Sequence, residues 1–256
     1  MPLQPERKPV TNFYTPPEKI KNDRVLIEGQ EAFHIAKVLK FNKGEIIPVV
    51  DGLGNKYKVV ISNISKKSVE GNILTCVRKE NEPLVNITLA PALSGGTKMD
   101  LVIEKCTEIG VNAFIPMLTE KSFIKIDKKT KAQSKTSRWR KVAIAAMKQS
   151  LRSYLPKIHE IMDFDGVLQK THYFDLTLVA TLESHSKPIG EIFDYQNKYK
   201  NILLLVGPEA GFTPSELERA REGKTVSVSL GPRRFRTETA SIILVSQVLT
   251  LCGEMS

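Results

Sequence analysis

The sequence predicts an α/β protein with a mainly parallel sheet, preceded by a smaller β-rich domain. From residue 84 onward, strand-like and helix-like segments alternate, as they do in α/β domains. Two of the strand-like segments, 177–182 and 202–206, are apolar runs typical of parallel strands that are covered on both faces. The polar, proline-terminated stretch 78–83 (RKENEP) is typical of a linker. We therefore expect one domain at 1–80 and a second at 84–256.

The N-terminal domain is predicted to contain several strands and one short helix. Apolar residues at 32, 35, 36 and 39 indicate an amphipathic helix. Strand-like segments follow at 45–50, 57–64 and 68–77. Asp51-Gly52 and Gly54-Asn55 supply turn chemistry between the first two of them, which indicates a hairpin.

The C-terminal domain is predicted to alternate five strands with four helices. The strand-like segments are 85–93, 111–117, 177–182, 202–206 and 226–230. The helical patterns are 98–110, 137–151, 214–221 and 237–252. The lysine-rich stretch 120–136 is predicted to be a loop. The last helix is apolar nearly all round, so we expect it to be buried, in part against a second subunit.

Composition excludes several classes of protein. The 256 residues are 41% hydrophobic and 26% charged, which is ordinary for a globular protein. The longest uncharged run, 239–253, is too short to span a bilayer, and the N-terminus lacks the apolar core of a signal peptide. The three cysteines have no CxxC partner and the four histidines have no paired spacing, so neither a disulfide scaffold nor a metal site is expected. A cytoplasmic protein without membrane contact is the expectation.

The net charge of +10 is concentrated in one quarter of the chain. Residues 97–159 carry 14 lysines and arginines against 5 acidic residues, whereas the rest carries 24 against 23. Such clustering is expected when the partner is a polyanion, most often nucleic acid. A solvated lysine-rich surface would give the same pattern. The adjoining β-rich domain could bind RNA or be a structural appendage.

Two glycine loops combine unusual residues at predicted strand ends. The first, 205–216 (LVGPEAGFTPSE), joins an apolar strand to a helix, the position at which ligands bind in open α/β sheets. Thr213, Pro214 and Glu216 form the pattern of a helix N-cap, a first-turn proline and a capping box. That pattern accounts for a tight turn but leaves Glu209 unexplained.

The second loop, 229–240 (SLGPRRFRTETA), also leaves a strand and enters a helix. It places Arg233, Arg234 and Arg236 just before a helix N-terminus, where cations are disfavoured. The presence of these arginines indicates an anionic partner, although a solvent-exposed loop would also tolerate them. Neither loop matches GxxxxGK[ST] or GxGxxG, so a nucleoside triphosphate cradle is not expected.

These loops resemble those of the ribosomal RNA small-subunit methyltransferase E family, of the SPOUT (trefoil-knot) class. The family pattern G-P-E-G-G-F followed by L-G-x-R-I-L-R-x-E-T-A is similar to GPEAGF at 207–212 and LGPRRFRTETA at 230–240. Further similar segments are MDLVIEKCTEIGV at 99–111, RWRKVAIAAMKQSLRSYLP at 138–156 and the H…VLK…DG pattern at 34–52. The resemblance covers almost the whole chain. Ala210 replaces the second glycine, Arg234-Phe235 replaces Ile-Leu, and Lys40 replaces Arg.

The resemblance implies a knotted C-terminal SPOUT domain, an N-terminal PUA-like β-barrel and a homodimer. It also implies methyl transfer from S-adenosylmethionine to N3 of a uridine in 16S ribosomal RNA of the small ribosomal subunit. If position 210 requires a positive φ, its alanine would cost about 1 kcal/mol.

The resemblance and the charge pattern together assign three groups of residues. Predicted catalytic residues are Arg236, Glu209 and Glu238. Predicted cofactor-binding residues are Thr181, Leu182, Val206, Gly207, Pro208, Glu209, Gly211, Phe212, Leu230, Gly231, Arg236, Thr237, Glu238, Thr239 and Ala240. Predicted RNA-binding residues are Lys121, Lys125, Arg138, Lys141, Gln149, Arg152, Arg233 and Arg234.

Methylation at N3 requires loss of the imide proton, so the site needs a proton acceptor and a cation beside the uracil anion. Arg236 is the first candidate for the cation, whereas the sequence does not separate Glu209 from Glu238 as acceptor. Two other functions stay open. One is an RNA-binding assembly factor with a degenerate loop, and the other is a knotted methyltransferase that acts on another RNA.

Overall fold

The computed structural model describes residues 11–122, 129–183, 186–194 and 199–255. These residues form two compact units. The first comprises residues 1–82 together with 144–155, and the second comprises 83–143 together with 156–256. The predicted domains, 1–80 and 84–256, were continuous stretches. The N-terminal unit differs from the predicted domain in that it includes residues 144–155, and no change of composition in the sequence marks this segment.

The N-terminal unit is a mostly antiparallel six-stranded sheet in the order β1-β4-β5-β6-β3-β2, in which only β1 and β4 pair in parallel. Its strands are β1 Phe13–Tyr14, β2 Ile20–Lys21, β3 Arg24–Glu28, β4 Ile46–Val50, β5 Asn55–Ile64 and β6 Ser68–Arg78. Its core is a cluster of buried aliphatic side chains around Phe13. The predicted helix is split into α1 Gly29–Phe33 and a π-helical turn, His34–Val38.

The C-terminal unit is an α/β domain whose seven-stranded sheet has the order β10-β8-β7-β14-β12-β15-β13, with every pair parallel. The strands are β7 Asn86–Pro91, β8 Ala113–Phe114, β10 Lys157–Ile158, β12 Leu176–Ala180, β13 Lys187–Pro188, β14 Asn201–Val206 and β15 Val226–Ser229. A separate parallel pair joins β9 Met117–Leu118 to β11 Met162–Asp163. The helices are α2 Lys98–Ile109, α4 Phe164–Leu168, α5 Ile189–Ile192, α6 Pro214–Glu222 and α7 Thr237–Leu251. A further helix, α3 Lys129–Gln149, is divided at residue 143 between this unit and the N-terminal unit.

Helices cover the sheet on two sides, as the apolar runs predict. Leu203 and Leu205 of β14 pack with residues of α4 and α6, whereas α7 contacts β7 and β14 and also packs on α2. Because side chains alternate along a strand, the intervening Leu204 lies on the opposite face, where it is buried. The predicted α/β fold with a mainly parallel sheet is confirmed. The predicted loop 120–136 is wrong from Lys129 onward, since α3 begins there.

Segment 144–155 belongs to the N-terminal unit through a buried ion pair. The Arg152 guanidinium donates to Glu82 Oε2 from Nε at 3.0 Å and from Nη2 at 2.7 Å. Glu82 Oε1 accepts the backbone N–H groups of Ser153 at 2.7 Å and Tyr154 at 2.8 Å. Only 2% of the Arg152 side chain and 4% of the Glu82 side chain are exposed. Arg152, which the sequence predicts to bind RNA, is thus buried and paired within this unit.

We expect Arg152→Met to lower the free energy of unfolding by about 3–5 kcal/mol, because it leaves the buried Glu82 carboxylate without its counter-charge. Lys19→Met in the same unit is the control, since Lys19 forms an exposed ion pair with Glu28 at 2.8 Å. Loss of an exposed pair costs about 0–1 kcal/mol. Urea unfolding of the three proteins measures the difference, and equal losses would contradict a stabilising role for Arg152.

Candidate active site

Three loops that follow neighbouring parallel strands line one cleft in the C-terminal unit. β14, β12 and β15 are adjacent in the sheet, and each ends at the same edge. The loops after them, together with Lys121 and the start of α6, enclose a volume of about 390 Å³. Volumes of roughly 300–1,000 Å³ are typical of sites for small molecules and cofactors.

The loop 207–213 owes its shape to two glycines. A Cβ at Gly207 would lie 3.0 Å from the ring of Phe212, so a larger residue would have to displace this ring from its place against the end of β14. Gly211 has φ +70° and donates its N–H to the carbonyl of Pro208 at 2.8 Å, which closes a β-turn. Ala210 does not have a positive φ. The strain expected of alanine at this position is therefore absent.

The predicted capping box at the start of α6 is confirmed. Thr213 Oγ1 accepts the N–H of Glu216 at 3.1 Å, and Glu216 Oε2 accepts the N–H of Thr213 at 2.8 Å. The Glu216 side chain is fully buried, and its second oxygen accepts the N–H of Glu120 at 2.9 Å. One carboxylate therefore joins the end of the loop to the turn that precedes α3.

The side chain of Lys121 lies at the wall of the cleft. Its Nζ donates to the carbonyl of Ala210 at 3.2 Å and to that of Phe212 at 3.1 Å. Sequence reasoning assigned Lys121 to RNA because it lies in the basic segment. The structure instead gives its ammonium two partners within loop 207–213.

The second glycine loop is joined to the first by one buried hydrogen bond. Thr237, the first residue of α7, donates from Oγ1 to the carbonyl of Gly207 at 3.0 Å. The residues just before it, Arg233, Arg234 and Phe235, line the cleft. Arg236 is exposed at the N-cap of α7.

The structure separates the two candidate glutamates. Glu209 lines the cleft and forms an ion pair with Lys98 at the start of α2, at 2.5 Å. The hydrogen bond from Lys98 is the main cause that lowers the pKa of Glu209, with a smaller contribution from the charge of Arg236. Glu238 is only 8% exposed and is not among the lining residues. Its Oε2 has no hydrogen-bond partner within the described part of the chain.

Eleven of the predicted cofactor-binding residues line the cleft and four do not. Those that line it are Thr181, Leu182, Val206, Gly207, Pro208, Glu209, Gly211, Phe212, Leu230, Thr237 and Ala240. Those absent from the lining are Gly231, Arg236, Glu238 and Thr239. The lining residues that the sequence did not indicate as cofactor-binding are Lys121, Ala180, Glu183, Ala210, Pro214, Leu217, Arg233, Arg234 and Phe235. Most of them are neighbours of predicted positions, whereas Lys121 comes from a distant part of the chain.

Two of the predicted RNA-binding residues lie close together on α3. Arg138 and Lys141 are exposed and three residues apart, which keeps them on one helix face. Gln149 is exposed at the end of the helix that belongs to the N-terminal unit. Arg138 also pairs with Asp100. Lys125 lies outside the described residues.

Within the ranges described, no group of three or more His, Cys, Asp or Glu side chains is placed to hold a metal ion. No described helix combines the length and apolar character needed to cross a membrane.

Comparisons with known proteins identify relatives of both units. A family described as "RNA methyltransferase domain" matches residues 80–249, and one described as "RNA methyltransferase PUA domain" matches residues 27–74. Ribosomal RNA small subunit methyltransferase E of Bacillus subtilis is 34% identical over 228 residues, covering 87% of this chain and 88% of that protein. The protein of that name from Synechocystis is 30% identical, covering 92% of this chain and 76% of its own.

A solved structure of similar fold is the ribosomal RNA small subunit methyltransferase E from Neisseria gonorrhoeae bound to S-adenosyl methionine. It is 27% identical, covers 94% of this chain and 97% of its own, and superposes with a TM-score of 0.83.

We expect Thr237→Val to destabilise the junction of the two loops, because the Gly207 carbonyl then loses its buried partner. Loss of one such hydrogen bond costs about 1–3 kcal/mol in free energy of unfolding. Thr239→Val is the matched control, since Thr239 is exposed on the same helix turn. Thermal or urea unfolding measures both, and equal stability of the two variants would show that the junction bond contributes nothing.

Proposed function

We propose, from the premise that this chain belongs to the ribosomal RNA small subunit methyltransferase E family, that it methylates N3 of a uridine in 16S ribosomal RNA. S-adenosylmethionine is the methyl donor. The observation that carries the proposal is the meeting of both family loops, 207–212 and 230–240, around one cleft bordered by arginines.

The residues of the cleft fit an adenosine with a cationic tail. Val206, Phe212 and Leu230 give it apolar walls, which suit the adenine ring. Within the described ranges the backbone N–H groups of Ala210 and Phe212 have no hydrogen-bond partner. Such unpaired donors at a concave apolar site are suited to a ring nitrogen or a ribose hydroxyl. The carboxylate of Glu209 would supply a negative charge to the cleft, which suits a cationic ligand.

Methyl transfer needs mainly positioning and charge stabilisation. When bound, S-adenosylmethionine supplies a methyl group on a sulfonium, whose sulfur keeps the electron pair of the broken carbon–sulfur bond. The uracil N3 donates the pair that forms the new bond and gives up its proton. We assign Arg236 the task of holding the developing negative charge on the uracil oxygens, since its guanidinium is exposed next to the cleft.

Glu209 is better suited to hold charge than to accept the proton. Its pKa lies below the ordinary value because Lys98 donates a hydrogen bond to it, so it stays ionised well below neutral pH and is a weak base. We therefore propose that solvent water accepts the uracil N3 proton. Glu209 is given the role of orienting Lys98 and Arg236. Glu238 is enclosed and takes no direct part in this scheme.

The substrate RNA is proposed to contact exposed basic residues of α3. Arg138 and Lys141, three residues apart on the helix, offer two cations, which suits phosphates along a strand. The match of residues 27–74 to an RNA methyltransferase PUA domain supports a second contact from the N-terminal unit.

A second copy of the chain is proposed to cover α7. The helix is apolar over most of its surface, yet Ile242, Ile243 and Leu251 stay partly exposed. Apolar helix faces of this kind are usually buried against another surface. A homodimer and a knotted path of the chain are both implied by the family. The assembly-factor alternative loses the support that it drew from Ala210, which introduces no strain into the loop.

The activity is tested by incubating the purified protein with S-adenosylmethionine and either small subunits or naked 16S RNA from cells that lack the enzyme. Mass spectrometry of nucleosides should detect 3-methyluridine. We expect Arg236→Gln to lower kcat by about 10²–10³-fold, because a preorganised charge beside the anion is lost. Calorimetry should show nearly unchanged affinity for S-adenosylmethionine.

Arg24→Gln is the matched control for this variant, since Arg24 is an exposed arginine of the N-terminal unit that lies outside the cleft. A kcat of the Arg236→Gln variant equal to that of wild type would contradict the role assigned to Arg236. Methylation of another nucleotide, or only of transfer RNA, would reject the proposed substrate.

We expect Lys141→Gln to weaken RNA binding and to reduce the slope of log K against log salt by about 0.7–0.9, the value for one phosphate contact. Lys187→Gln on β13 is the control, because Lys187 is exposed but lies outside both the basic segment and residues 27–74. Filter binding at several salt concentrations measures the slopes, and identical slopes for Lys141→Gln and wild type would contradict a phosphate contact.

A further inference from the structure

We propose that Lys121 is a positioning residue for cofactor binding, and that it acts on the loop 207–213 instead of on RNA. The inference rests on the proposed function, because it takes S-adenosylmethionine as the ligand of the cleft. The observation that supports it is a pair of hydrogen bonds from the Lys121 ammonium to the carbonyls of Ala210 and Phe212, at 3.2 Å and 3.1 Å.

These two bonds complete a regular pattern of bonded peptide groups. The peptide group between residues 210 and 211 is bonded at both ends, since its carbonyl accepts from Lys121 and its N–H donates to Pro208. The group between 212 and 213 is bonded likewise, since its carbonyl accepts from Lys121 and its N–H donates to Glu216.

The peptide groups in between keep their donors free. The N–H groups of Ala210 and Phe212 have no partner within the described ranges, and both residues line the cleft. Lys121 thus fixes alternate peptide groups of the loop, so that the remaining N–H groups are held ready for a ligand. Preorganised donors bind more tightly because less conformational freedom is lost on binding.

The backbone that carries Lys121 is itself fixed. Thr119 donates its N–H to Ser122 Oγ at 3.0 Å, and Ser122 donates its N–H to the Thr119 carbonyl at 3.0 Å. The N–H of Glu120 is bonded to the buried Glu216 carboxylate at 2.9 Å. The lysine therefore extends from a closed turn, which lowers the entropy lost when its side chain is ordered.

The positive charge of Lys121 strengthens its two hydrogen bonds to the loop. Hydrogen bonds with an ionised donor are stronger than neutral ones, and one ammonium can donate to both carbonyls. Methionine has a similar stem but no donor. We expect Lys121→Met to weaken S-adenosylmethionine binding by about 10–100-fold, the loss typical of a charged hydrogen-bond donor.

Calorimetry without RNA measures S-adenosylmethionine affinity, and filter binding at one salt concentration measures RNA affinity. Wild type, Lys121→Met, Lys121→Arg and Lys141→Met are compared. The proposal expects Lys121→Met to lose cofactor affinity and keep RNA affinity, Lys121→Arg to recover most of the loss, and Lys141→Met to show the reverse pattern. A Lys121→Met protein that loses RNA affinity and binds the cofactor like wild type would overturn it.

Hydrogen exchange of the ligand-free proteins gives a readout that needs no cofactor. The hydrogen-bonded amides of Gly211 and Thr213 should exchange faster in Lys121→Met than in wild type, and unchanged exchange at both would overturn the positioning role. If wild type itself fails to bind S-adenosylmethionine, the proposed function fails, and the exchange rates still decide whether Lys121 orders the loop.

Discussion

The cleft depends on hydrogen bonds that fix the peptide groups of one short loop. Residues 207–213 have no regular secondary structure of their own, so their shape is set by side chains from elsewhere in the chain. Thr237 binds the first carbonyl, Glu216 binds the last N–H, and Lys121 binds two carbonyls between them. Buried or bonded peptide groups resist movement because an unmade hydrogen bond is costly. The cleft is thereby shaped before any ligand enters.

The charges around the cleft are arranged as a set. Lys98 bonds to Glu209, Arg236 adds positive potential next to the same carboxylate, and Arg233 and Arg234 border the opening. The carboxylate bonded to Lys98 has a lowered pKa and so remains ionised. The cleft therefore offers both a negative charge and neighbouring positive charges to a ligand.

Arg152 and Lys121 show how similar side chains in one basic segment acquire different tasks. Both lie in the region that carries most of the net charge. Arg152 is enclosed in the N-terminal unit by Glu82, whereas Lys121 orders a loop of the C-terminal unit. Arg138 and Lys141 are exposed on α3, where Arg138 pairs with Asp100. A count of charges therefore does not show which basic side chains are already bonded within the chain.

The sequence by itself determined the α/β class, the parallel strands, the capping box at Thr213 and the two loops that line the cleft, because each depends on residues close together in the chain. It did not determine the partners of Glu82, the start of α3 at Lys129 or the enclosure of Glu238. Those features depend on contacts between residues tens of positions apart, which local periodicity does not encode. The tertiary structure alone decided that Glu209 faces the cleft and that Lys121 reaches the loop, since both follow from how the sheet and helices pack.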